Sequence, residues 1–427
     1  LYSLKLKEVK PDEISVHHNK IYNNGGTQIS CINLDILKEL HKSCHEKTIK
    51  ILNELAPHKT KLYEYTDFNI IETGKNYNES VAEVNEALHM AQFAFGSGRY
   101  SHGEAVSSEI EDKDAYMLRK PKGVVAIVTP FNFPLAIGMF WNAAPALVEG
   151  NTIVIKPSED APMSTQAAVQ IYEEAGIPHG VINLVHGHGQ TGDFLVRDDV
   201  DHICFTGSAD VGQHIRKVAA ESWNKTTSCE LGSKSACIVF DDVEIPLALE
   251  ACVASAFKLS GQRCVSSGRI LVQRTIYNDF AKRFAEEASK LKTGNPFKKN
   301  SGTCGTPAAV CWDEIVPNEE IYYGPIINQQ GFDKIRYMNS LVASDPKSEI
   351  LLNPTYTGTG KSYYSTPMVY KREWSNCDAG FLRNEVFGPH VAIIPFDTVE
   401  DAIRIYNDTE YGLAVGILTN DFRKARI

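Results

Sequence analysis

From Val124 onward the chain alternates short runs of β-branched and apolar residues with longer amphipathic stretches. Val124–Val128, Thr152–Ile155, Val181–Val185 and His202–Phe205 read as strands, and helical spacing fills about 135–148, 162–175 and 209–221 between them. These strands are apolar on successive residues, which predicts burial on both faces. Strands and helices at that rhythm predict a parallel sheet with helices on each side, a doubly wound α/β architecture. A second α/β unit follows, with strands predicted at Ala236–Phe240, Ile270–Gln273 and Val391–Pro395. Upstream, from about Asp35 to Phe95, the pattern is helical. Ile49, Ile51, Leu52 and Leu55 form one apolar stripe, and Val81, Val84, Ala87 and Leu88 another. The polar stretch Tyr100–Lys122, which carries Ala115-Tyr116-Met117-Leu118, predicts an exposed hairpin. Asn295–Glu320, rich in Lys, Gly, Pro and Asn, reads as a long surface insertion.

A chain of 427 residues, 43% of them hydrophobic, can bury a large core and is long enough for two or three domains. Its formal net charge of -10, with no basic run, argues against a nucleic-acid partner. Gly123–Val148 contains no charged residue, which raises the question of a membrane span. Pro130, Pro134 and Pro145 interrupt it, and Asn132 and Asn142 place polar groups inside it, so a buried strand, a turn and a helix fit better. The opening Leu1-Tyr2-Ser3 brings no apolar run of the kind a secretory leader needs. Ten cysteines are spread without the paired short spacings of zinc sites, which suggests reduced thiols in a cytoplasmic compartment and no metal.

Three strings could carry chemistry. Cys264, in Ser260-Gly261-Gln262-Arg263-Cys264, offers a nucleophilic thiol, although a lone cysteine is more often a small buried hydrophobe. Glu230, in Cys229-Glu230-Leu231-Gly232, stands at a strand end opening into a turn, where a carboxylate is a solvated turn residue or a base. Asn132, in Pro130-Phe131-Asn132-Phe133-Pro134, is a turn asparagine or an amide donor to a developing oxyanion. Two further strings suit a dinucleotide: Ile155-Lys156-Pro157-Ser158-Glu159, and Phe205-Thr206-Gly207-Ser208-Ala209-Asp210-Val211-Gly212. In the second, a strand becomes a helix whose first N–H groups can meet a pyrophosphate. Asn384-Glu385-Val386-Phe387-Gly388-Pro389 is by itself a polar turn before a strand.

Taken in this order, the strings closely resemble the aldehyde dehydrogenase superfamily, from about Ile51 to Thr419. The resemblance implies two Rossmann-like doubly wound domains and a small β-hairpin for oligomerisation. It implies an NAD-binding domain at 1–101 and 123–232, a hairpin at 102–122 and a catalytic domain at 233–427, the family pattern continuing past Ile427. It implies NAD-dependent oxidation of an aldehyde to an acid, with Cys264 as nucleophile, Asn132 and the Cys264 N–H on the oxyanion, and Glu230 activating the water that releases the acid. That last role suits a carboxylate whose pKa is raised by partial burial. To the cofactor the resemblance assigns Thr129, Pro130, Phe131, Lys156, Ser158, Glu159, Phe205, Thr206, Gly207, Ser208, Gly212, Leu231, Gly232, Glu385 and Phe387. Glu159 would bond a ribose 2′-hydroxyl and repel a 2′-phosphate, favouring NAD over NADP. The string Lys258–Ser267 is similar to branches that handle amino-acid-derived semialdehydes, and a homodimer or homotetramer is expected. Ser233 departs from the family, which usually has a second glycine there. A CoA-acylating member would not need Glu230, and a non-catalytic member would not need all three reactive residues.

Overall fold

The computed structural model describes residues 66–100, 103–299, 315–357, 363–375 and 379–426. The stripe of Ile49, Ile51, Leu52 and Leu55 lies outside these residues, as does the middle of the 295–320 insertion. The described chain forms two units, one of residues 66–72 and 81–230 and the other of residues 73–80 and 231–426.

The first unit draws on helices α1 (Thr66–Thr73) and α2 (Tyr77–Ser97), then a two-stranded hairpin of β1 (Gly103–Val106) and β2 (Ala115–Leu118). Val84 and Ala87 of the expected stripe are fully buried, with Leu88 packed against the same core. The hairpin exposes Tyr116 (67%), Met117 (51%) and Leu118 (69%). Next come β3 (Val124–Val128), α3 (Ala144–Val148), β4 (Thr152–Lys156), α4 (Met163–Glu174), β5 (Ile182–Leu184), α5 (Gly189–Arg197), β6 (His202–Thr206), α6 (Ala209–Ala220) and β7 (Thr226–Glu230). The strands pair in the order β5-β4-β3-β6-β7, all parallel. Every residue of β4 is buried, as is every residue of Val124–Ile127, which fits a sheet covered on both faces.

The helix expected over 135–148 is divided. Ala136–Ala143 is a π-helix, and only Ala144–Val148 is α-helical. The wider winding follows from the neighbours: the Ala144 N–H donates to the Met139 carbonyl five residues back, Asn142 Nδ2 donates to Ile137 O at 2.9 Å, and the proline at 145 has no N–H to give. Glu83 anchors the start of this segment by accepting from the Leu135 and Ala136 N–H groups at 2.9 and 3.0 Å. No described helix is long and apolar enough to cross a membrane.

The second unit contains β8 (Ala236–Val239), α7 (Ile245–Phe257), β9 (Arg269–Gln273), α8 (Tyr277–Ser289), β10 (Phe297–Lys299), β11 (Ile315–Pro317) and α9 (Gln329–Ser344). It continues with β12 (Glu349–Leu352), β13 (Tyr356–Thr357), β14 (Tyr364–Ser365), β15 (Met368–Lys371), α10 (Gly380–Arg383), β16 (His390–Phe396), α11 (Val399–Asn407) and β17 (Val415–Leu418). Its main sheet runs β12-β15-β16-β9-β8-β17, parallel except for β12. Successive residues of β16 serve opposite faces. Val391 and Ile393 pack with α7 and α8, while Ala392, Ile394 and Phe396 pack with Ala402 and Ile405 of α11. The described ends of the insertion pair as a β10–β11 ribbon.

Phe284 lies at the centre of one such face, 5.9 Å from the Phe257 ring and 6.4 Å from the Phe280 ring by centroids. Phe284→Ala is expected to cost about 3–5 kcal/mol, read as a lower urea midpoint for the transition of this unit. An unchanged midpoint would mean that the three rings do not form a common core.

Candidate active site

The turns that follow β3, β4, β6 and β7 all leave the carboxyl edge of the first sheet, because all these strands run the same way. That edge therefore gathers Thr129, Pro130, Phe131 and Asn132 after β3, Lys156, Ser158 and Glu159 at the end of β4, and Phe205, Thr206, Gly207 and Ser208 at the end of β6. Glu230, which closes β7, pairs in register with Thr206, and its carbonyl accepts from the Gly207 N–H at 3.1 Å. The strand order reverses between β3 and β6, the point at which ligands settle in open α/β sheets.

Asn132 is 4% exposed. Its turn is held on the downstream side, by Glu83 on the Leu135 and Ala136 N–H groups and by Thr165 Oγ1, which donates to Pro134 O at 2.7 Å. Glu83 is itself buried and accepts from Asn69 Nδ2 at 2.6 Å. The Thr129 Oγ1 hydroxyl is buried with no hydrogen-bond partner among the described residues. Lys156 is buried and donates to the carbonyls of Pro157 and Gly187, each at 2.7 Å, while its Nζ lies 3.6 Å from the exposed Glu159 carboxylate. Burial lowers the Lys156 pKa against the opposing pull of Glu159. His188 Nδ1 stands 3.6 Å from the other Glu159 oxygen.

Ser208 caps α6, its Oγ accepting from the Val211 N–H at 3.4 Å and its carbonyl from the Gly212 N–H at 3.0 Å. A Cβ on Gly207 would come within 2.5 Å of the Phe205 ring, so a side chain there would have to displace that ring. Glu230 is exposed in this structure, contrary to the expected partial burial. As the last residue of edge strand β7, it ends an alternation of exposed and half-buried positions with its side chain on the open face.

In the second unit, Glu385 accepts from the Ser233 N–H at 2.9 Å, and a Cβ on Gly232 would come within 2.3 Å of the same carboxylate. Leu231 and Gly232 thus lead into a loop pinned by Glu385, whose pKa is raised by burial. Ser233, in place of the family glycine, pairs its hydroxyl with Ser235 Oγ at 2.6 Å. Phe387 takes a left-handed backbone, φ 59°. Cys264 is half-buried, and its carbonyl accepts from Ser235 Oγ at 3.5 Å. It follows a left-handed turn at Leu259, Ser260 and Gly261.

Sequence reasoning missed three charged side chains that hold these loops. Glu83 shares a helix face with Ala87, so a carboxylate inside an apolar stripe was the available signal. Lys234, 3% exposed, donates to Phe381 O at 2.9 Å, and burial brings its pKa down to about 7. Arg269 is buried at the start of β9. Its Nε and Nη2 donate to Lys234 O at 3.0 and 2.7 Å, and its Nη1 donates to Ile405 O at 2.9 Å. A charge at the head of an apolar run marks both residues.

A model of the aldehyde dehydrogenase family matches residues 36–427. The chain belongs to the aldehyde dehydrogenase family. It is 36% identical over 358 residues to the mitochondrial succinate-semialdehyde dehydrogenase of Oryza sativa subsp. japonica, covering 83% of this chain and 63% of that protein. Against the betaine aldehyde dehydrogenase of Bacillus subtilis (strain 168) the identity is 33% over 369 residues, covering 85% and 70%. The crystal structure of betaine aldehyde dehydrogenase from Staphylococcus aureus in complex with NAD+ superposes with a TM-score of 0.78 at 29% identity, covering 91% of this chain and 73% of that one.

The buried Lys234 makes stability depend on pH. Its folded pKa, about 7, lies below the ordinary 10.5, so between these values the unfolded chain binds more protons and stability rises with pH. The slope from this one group approaches about 1.4 kcal/mol per pH unit at most. Lys234→Met is expected to flatten the rise in urea midpoint between pH 7 and pH 10, and an unchanged slope would show that the group stays charged on folding.

Proposed function

We propose that the protein oxidises an aldehyde to its carboxylic acid with NAD as the hydride acceptor, as a non-acylating member of its family. The observation that carries this reading is the gathering of four motif-bearing turns, with Asn132 and Glu230 among them, on one edge of one parallel sheet. The residues present fit a dinucleotide. A side chain at Gly207 would displace the Phe205 ring, α6 offers a capped N-terminus, the Thr129 hydroxyl has no partner among the described residues, and Glu159 is exposed for a ribose hydroxyl. When bound, NAD supplies the acceptor that turns the Cys264 adduct into a thioester.

This chain's own groups account for the remaining chemistry. The Cys264 thiolate adds to the carbonyl carbon, and the Asn132 amide and the Cys264 N–H donate to the oxygen that gains charge. Glu230 then takes a proton from the water that attacks the thioester, which frees the acid and restores the thiol. Glu385 and Phe387 would hold the nicotinamide end, Glu385 through the same carboxylate that pins Ser233. The Lys258–Ser267 string and the name of the rice relative both favour a semialdehyde substrate. The exposed apolar residues of β2 favour a homodimer or homotetramer that covers this edge. The described cysteines, held as thiols, favour a reducing compartment such as the cytoplasm.

Cys264→Ala is expected to abolish NADH formation while leaving NAD binding intact. Glu230→Gln should spare the first turnover and slow the steady state, giving a burst of NADH and then a stall. Loss of the burst would move Glu230 to an earlier step, and turnover by the alanine variant would remove Cys264 as nucleophile. For cofactor choice, Glu159→Ser leaves Lys156 and His188 to meet a 2′-phosphate without an opposing carboxylate. The ratio of kcat/KM for NAD over NADP should therefore fall about tenfold or more. Equal values for the two cofactors in the unaltered protein would overturn the role of Glu159.

A further inference from the structure

The chain reaches Cys264 through three consecutive left-handed residues, Leu259 (φ 53°), Ser260 (φ 56°) and Gly261 (φ 71°). Two of these carry a Cβ, and each such residue costs about 1–2 kcal/mol, so the turn persists only where its surroundings hold it. Gly261 meets the Gly388 carbonyl so closely that a Cβ would lie 2.3 Å from its oxygen. Ser260 Oγ donates to Gly324 O at 2.7 Å. Gln262 Nε2 donates to Pro325 O at 3.2 Å, and its Oε1 accepts from the Ile327 N–H at 3.0 Å. The Leu259 N–H, at the head of the turn, donates to Glu79 Oε1 at 2.7 Å.

Resting on the reading of Cys264 as nucleophile, we infer that Glu79 is a positioning residue for its thiol, fixing the left-handed turn that delivers it. The other Glu79 oxygen, Oε2, is shielded from solvent and makes no hydrogen bond among the described residues, so the bond to Leu259 is the carboxylate's described hydrogen bond. The charges around it are Lys75, Arg263 and Lys258. Arg263, the residue before Cys264, interacts electrostatically with both Glu79 and Cys264, and its Nε is buried with no hydrogen-bond partner among the described residues. Glu79 therefore acts on the thiol through the backbone ahead of it, with the Arg263 guanidinium lying beside both. It touches no reacting atom and transfers no proton.

The test is the rate at which iodoacetamide labels Cys264, followed on its peptide by mass spectrometry, together with kcat and the KM for NAD. In Glu79→Ala, labelling and kcat should each fall about 10- to 100-fold with the KM for NAD unchanged. Glu79→Gln keeps an oxygen for the Leu259 N–H and should label within about threefold of the unaltered protein. Should the alanine variant fail to fold, Glu79→Asp, too short to reach that N–H, takes its place with the same expectation. Labelling at the unaltered rate in the alanine or aspartate variant, or a glutamine variant as slow as either, overturns the inference. If Cys264→Ala were to turn over, the nucleophile reading would fail by itself, while the labelling series would still decide what Glu79 does to the turn.

Discussion

A parallel ladder sends every strand's carboxyl end to the same edge, and the first unit depends on that constraint. The β3–β6 pairing places the Asn132 turn beside the Gly207 turn, and the β6–β7 pairing brings Glu230 level with Thr206. Asn132, the Thr206–Gly207 turn and Glu230 are all distant from one another in sequence. Their meeting follows from strand direction and from the apolar burial that holds the strands in register. A slip of one residue in β7 would turn the Glu230 side chain to the other face of the sheet while leaving the core pattern of β3 and β4 intact.

Buried ionisable side chains are used throughout as anchors for backbone. Glu83 takes two N–H groups at the start of the π-helix, Lys156 gives to two carbonyls, Lys234 gives to one, and Arg269 gives to the carbonyls of Lys234, Ile405 and Tyr406. Neutral side chains could fill the same volume, but an ionic donor or acceptor makes the stronger hydrogen bond, and its loss leaves the loop's own polar groups unsatisfied. Interactions of this kind order the loops without filling the space that a substrate needs.

Four of the five strands of the first sheet, and β8, β9 and β16 of the second, were legible in the sequence because they are apolar on successive residues. The α6 turn was legible because its serine cap and its glycines stand at the strand's end. Of β7 only its end at Glu230 was read, and the buried β15 was missed. Val415–Leu418 and Glu349–Leu352 were not legible, since both are short edge strands only partly buried, and pairing with distant residues makes them strands. The π-helix was read as ordinary helix because its cause lies in Glu83 and Asn142, which periodicity does not register. The motif positions could be read directly, whereas the exposure of Glu230 and the supporting roles of Glu83, Lys234 and Arg269 depend on which faces the folded chain turns outward.

The grouping of residues 73–80 with a unit whose remaining residues begin at 231 has a consequence for the order of assembly. Asn76 Nδ2 donates to the Tyr322 carbonyl at 2.6 Å, across 246 positions of chain. During synthesis this short segment leaves the ribosome long before its partners exist, and the sheet of the first unit can close in the meantime. Closing so long a loop adds little to the final free energy, since the entropy grows only with the logarithm of length, but it delays the encounter. The second unit therefore matures last, and a pause in translation after about residue 230 would leave the start of α2 waiting with its polar groups turned to water.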